Sequence, residues 1–486
     1  MKQKKILLPS MMLTSLLAGS LLTGGLLTGC LQPDGVQPEE PQLEIRETAA
    51  PQLRLLKVVD LDPEETLTVS LYNDYSASAS KRTNVTAVSA SPSIQVTKNN
   101  LDFQIKGKAG AMGIIKFESS DRSGELRVFI RNWKAADVSR NTLYADMTAY
   151  NQDEASPFNP RGQTSYRLIR TKGFHYEAPD GLSARETNQT TFEMTIHGDN
   201  YVETDLRKLH CINRGTPCDH SACEKVPHIV QTRDWEYLPK GVFSLRKDVF
   251  KFMLHHEYDG DMVGGYDDRQ RLEIKTMDGE KDSDDMYSRG GGDTFTHRWK
   301  FRLPENFRVS NEYTHIHQIK AEGGDSGNPI FTLTGRKLRT GREVLQLIYR
   351  GPIRPNGDPS VNWYPAEVDL EPFKGEWIRA EQTLTYDNPG TFSIKLVRIR
   401  DMRILMEYTY SPELYNEVDP FMMYRPQNIY IRPKFGIYRR ILHMTPFGLP
   451  NIDDPVLTFL GEERNHKGER EVTVLFADIE MDKLKR

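Results

Sequence analysis

The sequence predicts an all-β chain in which a small β-sandwich precedes one large two-sheet jelly roll. Three observations predict it. Short runs of alternating apolar and polar residues recur from Leu55 onward, Asn, Ser, Pro and Gly punctuate them at short intervals, and few stretches carry the 3.6-residue period with caps that a long helix needs. At ~100–200 residues per domain, 486 residues imply two or three units. A hydrophobic content of 37% and a net charge of −4 describe an ordinary globular protein. No basic domain of the kind that binds nucleic acid stands out, although a local basic cleft on an acidic protein remains open.

The first element is not part of the fold. MKQKK is a basic start, an apolar run follows to Leu27, and the stretch ends in Leu27-Thr28-Gly29-Cys30. A basic n-region, an apolar core and small residues before the cut read as a secretory signal over residues 1–29. The L-T-G-C ending resembles the lipobox of bacterial lipoproteins, which implies that Cys30 is lipidated and becomes the mature N-terminus. No later segment approaches the ~18 consecutive apolar residues of a membrane helix. The expectation is an exported protein of the cell envelope, periplasmic or surface-facing, held to the membrane through its lipid alone. Residues 30–54, rich in Pro, Glu and Gln, read as a flexible linker.

The second element spans residues 55–135, with runs such as TLTVSLY, LDFQIKG, MGIIKF and ELRVFI. Their spacing suits a small β-sandwich of the immunoglobulin-like kind. It resembles the Ig-like spacer domains of bacterial surface proteins, which implies a spacing role.

The third element, residues 140–486, is again strand after strand, including RQRLEIK, HRWKFRL, EYTHIHQIK, VLQLIYR and EVTVLFADI. Strand number and length fit one two-sheet jelly roll. GEWIRAEQTLTYDNPGTFSIKL is similar to the tryptophan-led strand, turn and return strand of concanavalin-A-like sandwiches. Cys211, Cys218 and Cys223 interleave with His210, His220 and His228, so a loop disulfide and a structural metal site are both open. The Asp/Gly-rich turn EYDGDMVGGYDD at 257–268 could bind Ca2+ or serve only as a turn. The chain is expected to act as a monomer.

Three strands of this third element carry unusual polar faces. Alternation puts Arg271, Glu273 and Lys275 on one face, Gln318 and Lys320 on one face, and Arg432, Lys434, Gly436 and Tyr438 on one face. Guanidinium, ammonium, amide and phenol groups on three strands suit a groove that holds a polyanion along its length. The motifs R271-L-E-I-K275, Q318-I-K320 and R432-P-K-F-G-I-Y438 resemble, in order, the three strand motifs of the family-seven alginate lyases and their glucuronan lyase relatives. The resemblance covers much of residues 250–440 and implies β-elimination on a uronate-containing polysaccharide. It implies that Arg271 and Gln318 neutralise the substrate carboxylate and that Tyr438 is the acid, with Glu273 orienting Arg271. Lys275, His315, Arg432 and Lys434 would grip the substrate.

Two departures matter. Lys320 stands where that family has its histidine base, and Arg432 stands where it has a tyrosine. The base is therefore open between Lys320, His317 and Tyr438 itself. His315 and His317 point away from Gln318 under strict alternation, and a bulge between them would re-aim them. Core packing is the other reading of both histidines.

A rival reading rests on Glu367-Val-Asp-Leu-Glu371, which resembles the acidic strand of family-sixteen glycoside hydrolases. It implies Glu367 and Glu371 as a carboxylate pair of a retaining hydrolase. Pro372 follows directly, so the stretch reads equally as an edge segment with an acidic face. A third reading is a non-catalytic jelly roll that binds a polyanionic carbohydrate.

Overall fold

The structure, a computed structural model, describes residues 44–47, 58–72, 86–99, 102–118, 123–146, 165–170, 174–177, 186–188, 191–195, 229–232, 249–255, 269–276, 288, 291–352, 362–411, 422–425, 427–440 and 471–485. The chain divides into two compact units, Met1–Pro41 and Gln42–Arg486. The signal segment, Cys30, the Cys211–Cys223 loop and the 257–268 turn lie outside the described residues. Within the stretch read as a linker, Glu44–Glu47 forms a strand paired with Leu67–Tyr72. Among the described residues the fold is built of strands with short 3-10 turns at Ala135–Asp137 and Glu371–Phe373.

The small module is two four-stranded sheets. One runs Glu44–Glu47, Leu67–Tyr72, Asp102–Gly107, Ile94–Asn99, and the other runs Val58–Leu61, Ser123–Ile130, Met112–Glu118, Thr86–Ser89. Alternation gives the module its core. Val69, Phe103, Ile105, Ile115, Phe117, Leu126 and Val128 all turn inward, and the Phe103 and Phe117 rings meet edge to face at 5.3 Å.

The large sandwich stacks a seven-stranded sheet on an eleven-stranded one. The seven-stranded sheet runs Phe174–Glu177, Arg269–Thr276, Tyr430–Arg440, Thr314–Glu322, Phe331–Lys337, Glu343–Arg350, Asn362–Asp369. The other includes, in order, Val138–Asp146, Glu471–Leu484, Asp293–Arg302, Trp377–Tyr386 and Thr391–Arg398, and ends at the edge strand Arg403–Tyr410. The core between them takes Leu272, Ile319, Leu333, Leu345, Leu347, Phe435 and Ile437 from the first sheet. Phe295, Trp299, Phe301, Ile378, Leu384, Leu396 and Phe476 come from the second. Each fully buried side chain of this kind contributes ~1.5–3 kcal/mol relative to exposure.

The small module docks on the outer face of the eleven-stranded sheet. Val58 and Phe129 pack with Trp377, Val397, Ile399, Leu475 and Ala477. The guanidinium of Arg379 lies 4.2 Å from the Phe129 ring centre. Around that apolar patch runs a buried charge network. Arg379 meets Asp60 at 2.9 Å, Lys300 meets Asp60 at 3.4 Å and Asp478 at 2.7 Å, and Arg131 meets Glu480 at 3.1 Å. Burial works against the Asp60 charge, yet Arg379, Lys300 and Arg131 override it and hold its carboxyl below the usual carboxylate range. The small module is thus joined by both apolar contact and ion pairs.

Candidate active site

The outer face of the seven-stranded sheet carries the polar groups that the alternation predicted. In register, Arg271 stands opposite Tyr438, and Lys275 opposite Lys434. Across the next ladder Tyr438 stands opposite His315, Lys434 opposite Gln318, and Arg432 opposite Lys320. Thr334 and Gln346 continue the row that begins with Arg271, Tyr438 and His315. Three motifs that are far apart in sequence thereby become neighbours on adjacent strands. Close approach of those strands explains Gly436, whose φ is 152°. A Cβ there would sit 2.1 Å from the Leu272 carbonyl oxygen.

Glu273 is the hub of the floor. It is 1% exposed, and its carboxylate accepts from the Gln318 amide and from Lys434 at 3.2 Å, with Arg271 Nε at 3.9 Å. A buried carboxylate is tolerable because cations and a donor surround it. It fixes the Gln318 amide and leaves that amide a second N–H to donate. Arg432 pairs instead with Glu322 at 2.6 Å. Lys320 is half-buried on the same face.

The Thr314–Glu322 strand departs from simple alternation. Its register shifts between His315 and His317 against both neighbouring strands. One extra residue at this bulge turns His315 onto the polar face with Gln318 and Lys320, while His317 and Ile319 stay in the core. His315 is stacked on Tyr313 at 4.6 Å, lies 5.7 Å from Tyr438 between ring centres, and its Nδ1 is 2.8 Å from Thr334 Oγ1. Thr334 in turn meets Thr332 at 2.7 Å. Burial, reinforced by Arg350, Arg336, Arg271 and Lys320, pushes the His315 pKa well below its ordinary value.

His317 has the opposite surroundings. Trp299 at 4.4 Å, Phe435 at 4.8 Å and His297 at 6.4 Å enclose its ring. Burial lowers its pKa to about 3. The Lys434 backbone and the Gln382 side chain soften that shift, without a well-aligned bond to either ring nitrogen. The structure therefore separates His317 from the groove and brings His315 to it.

Around Tyr438 the rim is cationic. The Arg271 guanidinium lies 4.2 Å from its ring centre, and Arg269 donates to its hydroxyl at 3.3 Å. Arg269, Tyr313, Arg336, Arg350 and Tyr364 belong to this face although no motif marked them. Alternation in F-T-L-T-G-R and V-L-Q-L-I-Y-R would have found the two arginines, since Thr332, Thr334 and Arg336 share one face and Gln346, Ile348 and Arg350 continue it on the next strand.

Among solved structures, the chain is similar to three sugar-cleaving enzymes. One is an endo-β-1,4-glucuronan lyase from the fungus Trichoderma reesei, at 17% identity and a TM-score of 0.29, covering 52% of this chain and 85% of that one. Another is a family 7 alginate lyase, A1-II′, in complex with substrate, at 10% identity and a TM-score of 0.34, covering 65% and 94%. The third is the alginate lyase of Klebsiella pneumoniae, at 11% identity and a TM-score of 0.32, covering 64% and 95%. No family model matches the sequence, and no curated protein matches it.

The acidic stretch of the hydrolase reading is not a single strand face. The strand ends at Asp369, and Glu371 begins a 3-10 turn with its side chain 83% exposed and paired to Lys374. Glu367 and Asp369 share Arg342, and Glu367 also accepts from Gln346 at 2.8 Å. Glu367 and Glu371 thus lack the shared face that a carboxylate pair needs. Among the described residues no cluster of three or more potential metal ligands occurs.

Proposed function

We propose that this face is the active site of a polysaccharide lyase that cleaves a uronate-containing polymer by β-elimination, in an exported protein lipid-anchored through Cys30. One observation carries the catalytic reading. His315 and Tyr438 face each other across adjacent strands, inside a ring of cations and beside a buried amide held by Glu273.

The C5 proton of a uronate is weakly acidic until its carboxylate is neutralised. Gln318 and Arg271 donate to that carboxylate and stabilise the enolate-like state as charge builds on it. In the tautomer whose Nδ1–H donates to Thr334, His315 Nε2 carries the lone pair and takes the C5 proton. The C4–O4 bond then breaks, the C4–C5 double bond forms, and Tyr438 gives its proton to the departing O4. Arg269 reaches that hydroxyl and Arg271 lies over the ring, so both stand beside the oxygen that gives up the proton. Lys320 supplies charge, and the base role falls to the neutral imidazole, whose depressed pKa keeps it unprotonated.

The test incubates the full-length protein with alginate, glucuronan, heparan sulfate, hyaluronan, pectin and ulvan, and with neutral β-glucans. Ultraviolet absorbance reports the new double bond. Absorbance rising on one uronate polymer, and falling ~10²–10⁴-fold in His315→Ala and in Tyr438→Phe, is the expected result. New reducing ends without absorbance, or full activity in both variants, would overturn the assignment.

A further inference from the structure

Several cations of the polar face have acids to answer them. Arg432 pairs with Glu322, Lys434 with Glu273, and Arg342 with Glu367 and Asp369. Arg336 and Arg350 differ from these. Arg336 Nε donates to the Glu312 carbonyl at 2.6 Å, and Arg350 Nη1 donates to Asn328 Oδ1 at 2.9 Å. Both acceptors are neutral, and among the described residues no carboxylate pairs with either guanidinium.

The two arginines stand on the side of His315 away from the Glu273 hub. They come from the Phe331–Lys337 and Glu343–Arg350 strands, and Tyr364 joins them from the Asn362–Asp369 edge strand. The Arg336 guanidinium lies 5.6 Å from the Tyr364 ring centre, and Tyr364 is 40% exposed. The Arg350 pKa is lowered by burial, with the like charge of Arg336 acting in the same direction against a partial offset from Tyr364 and Tyr313. Two like-charged guanidinium groups, with no carboxylate partner among the described residues, are stabilised when an anion approaches them.

We propose that Arg336, Arg350 and Tyr364 form an oxyanion-binding site, which takes a carboxylate or sulfate substituent of a sugar neighbouring the one that loses its proton. The inference rests on the lyase reading for its substrate but not for its chemistry of binding. Planar guanidinium forks match both oxyanions through paired charge-assisted hydrogen bonds. Tyr364, 40% exposed beside Arg336, offers an aromatic surface to the same sugar. The site would select polymers that carry an anionic group on consecutive residues over those that carry it on alternate ones.

The experiment measures dissociation constants by calorimetry for the full-length protein with alginate, heparan sulfate and chemically desulfated heparan, with product absorbance read separately. The variants are Arg336→Gln/Arg350→Gln and Arg336→Lys/Arg350→Lys. The expected result is affinity weakened roughly tenfold or more in the glutamine pair, partial recovery in the lysine pair, and a shallower salt dependence. KM should rise in step with Kd. Equal loss on sulfated and desulfated polymer assigns a carboxylate, and loss on the sulfated polymer alone assigns a sulfate. Unchanged affinity in the glutamine pair, no recovery with lysine, or no binding of any polymer by the parent protein would overturn the proposal. Binding without absorbance would leave the site standing and remove the lyase reading.

Discussion

Replacing His317 with leucine tests the separation of the two histidines most directly. The ring sits among Trp299, Phe435 and His297 with its pKa lowered to about 3 from 6.5. The unfolded chain therefore binds a proton near pH 6.5 that the folded chain refuses until far lower. A base with a depressed folded pKa contributes stability above its unfolded pKa, and that contribution is lost as pH falls. Between pH 6.5 and 4.5 the slope approaches ~1.4 kcal/mol per pH unit, so His317 alone costs roughly 2–3 kcal/mol at pH 4.5. Leucine has a similar bulk and no such slope, and it removes two desolvated nitrogens for a gain of about 1–2 kcal/mol at pH 8. His297 is present in both proteins, but the charge of His317 helps to lower its pKa, so their difference reports His317 together with its effect on His297. Urea denaturation at pH 8, 6.5, 5.5 and 4.5 should show the leucine variant more stable throughout, by an amount that grows as pH falls. Product absorbance at pH 8 should be retained. Parallel pH profiles, a less stable variant at pH 8, or loss of turnover would refute the reasoning.

Because the His315 pKa lies below its ordinary value, kcat/KM should hold as pH falls to about 6.5 and decline only below it, and an acid limb centred above 7 would count against His315 as base. Gly436→Ala drives a methyl into the Leu272 carbonyl, so the variant should lose about 3 kcal/mol or more, read from its melting midpoint. Asp60→Asn removes the acid shared by Arg379 and Lys300, at a cost of ~3–5 kcal/mol. Limited proteolysis should then cut near the module junction. Since the Asp60 pKa is depressed in the folded state, its stabilisation is present above the unfolded value near 3.8 and fades as pH drops below it, so the asparagine variant should show a flatter acid profile.

The alternating strands were readable because one buried face forces every second residue inward. Leu272, Phe435 and Ile437 lie in the core, and Glu273, Lys434 and Tyr438 lie on the other side, as the period requires. The bulge at His315 and His317 was not readable, because nothing in T-H-I-H-Q-I-K marks where an extra residue enters. Only pairing with two partner strands determines it. Glu371 escaped the strand because the chain turns at Pro372, a break that the residue order already signalled. The docked module lay beyond reach for another reason. Asp60 and Arg379 are 319 positions apart, and no local pattern announces a contact of that separation.

Docking of the small sandwich also decides which side of the large one the polar face occupies. Trp377, Val397 and Ala477 leave the large sandwich on one side to receive the module, while Arg271, Gln318 and Tyr438 leave it on the other. The module and the polar face therefore lie on opposite sides of the large sandwich. On the lyase reading proposed above, the module would carry the sandwich and take no part in gripping the polymer. The ties at Asp60 make that mounting fixed, and cutting them would turn it into a swivel.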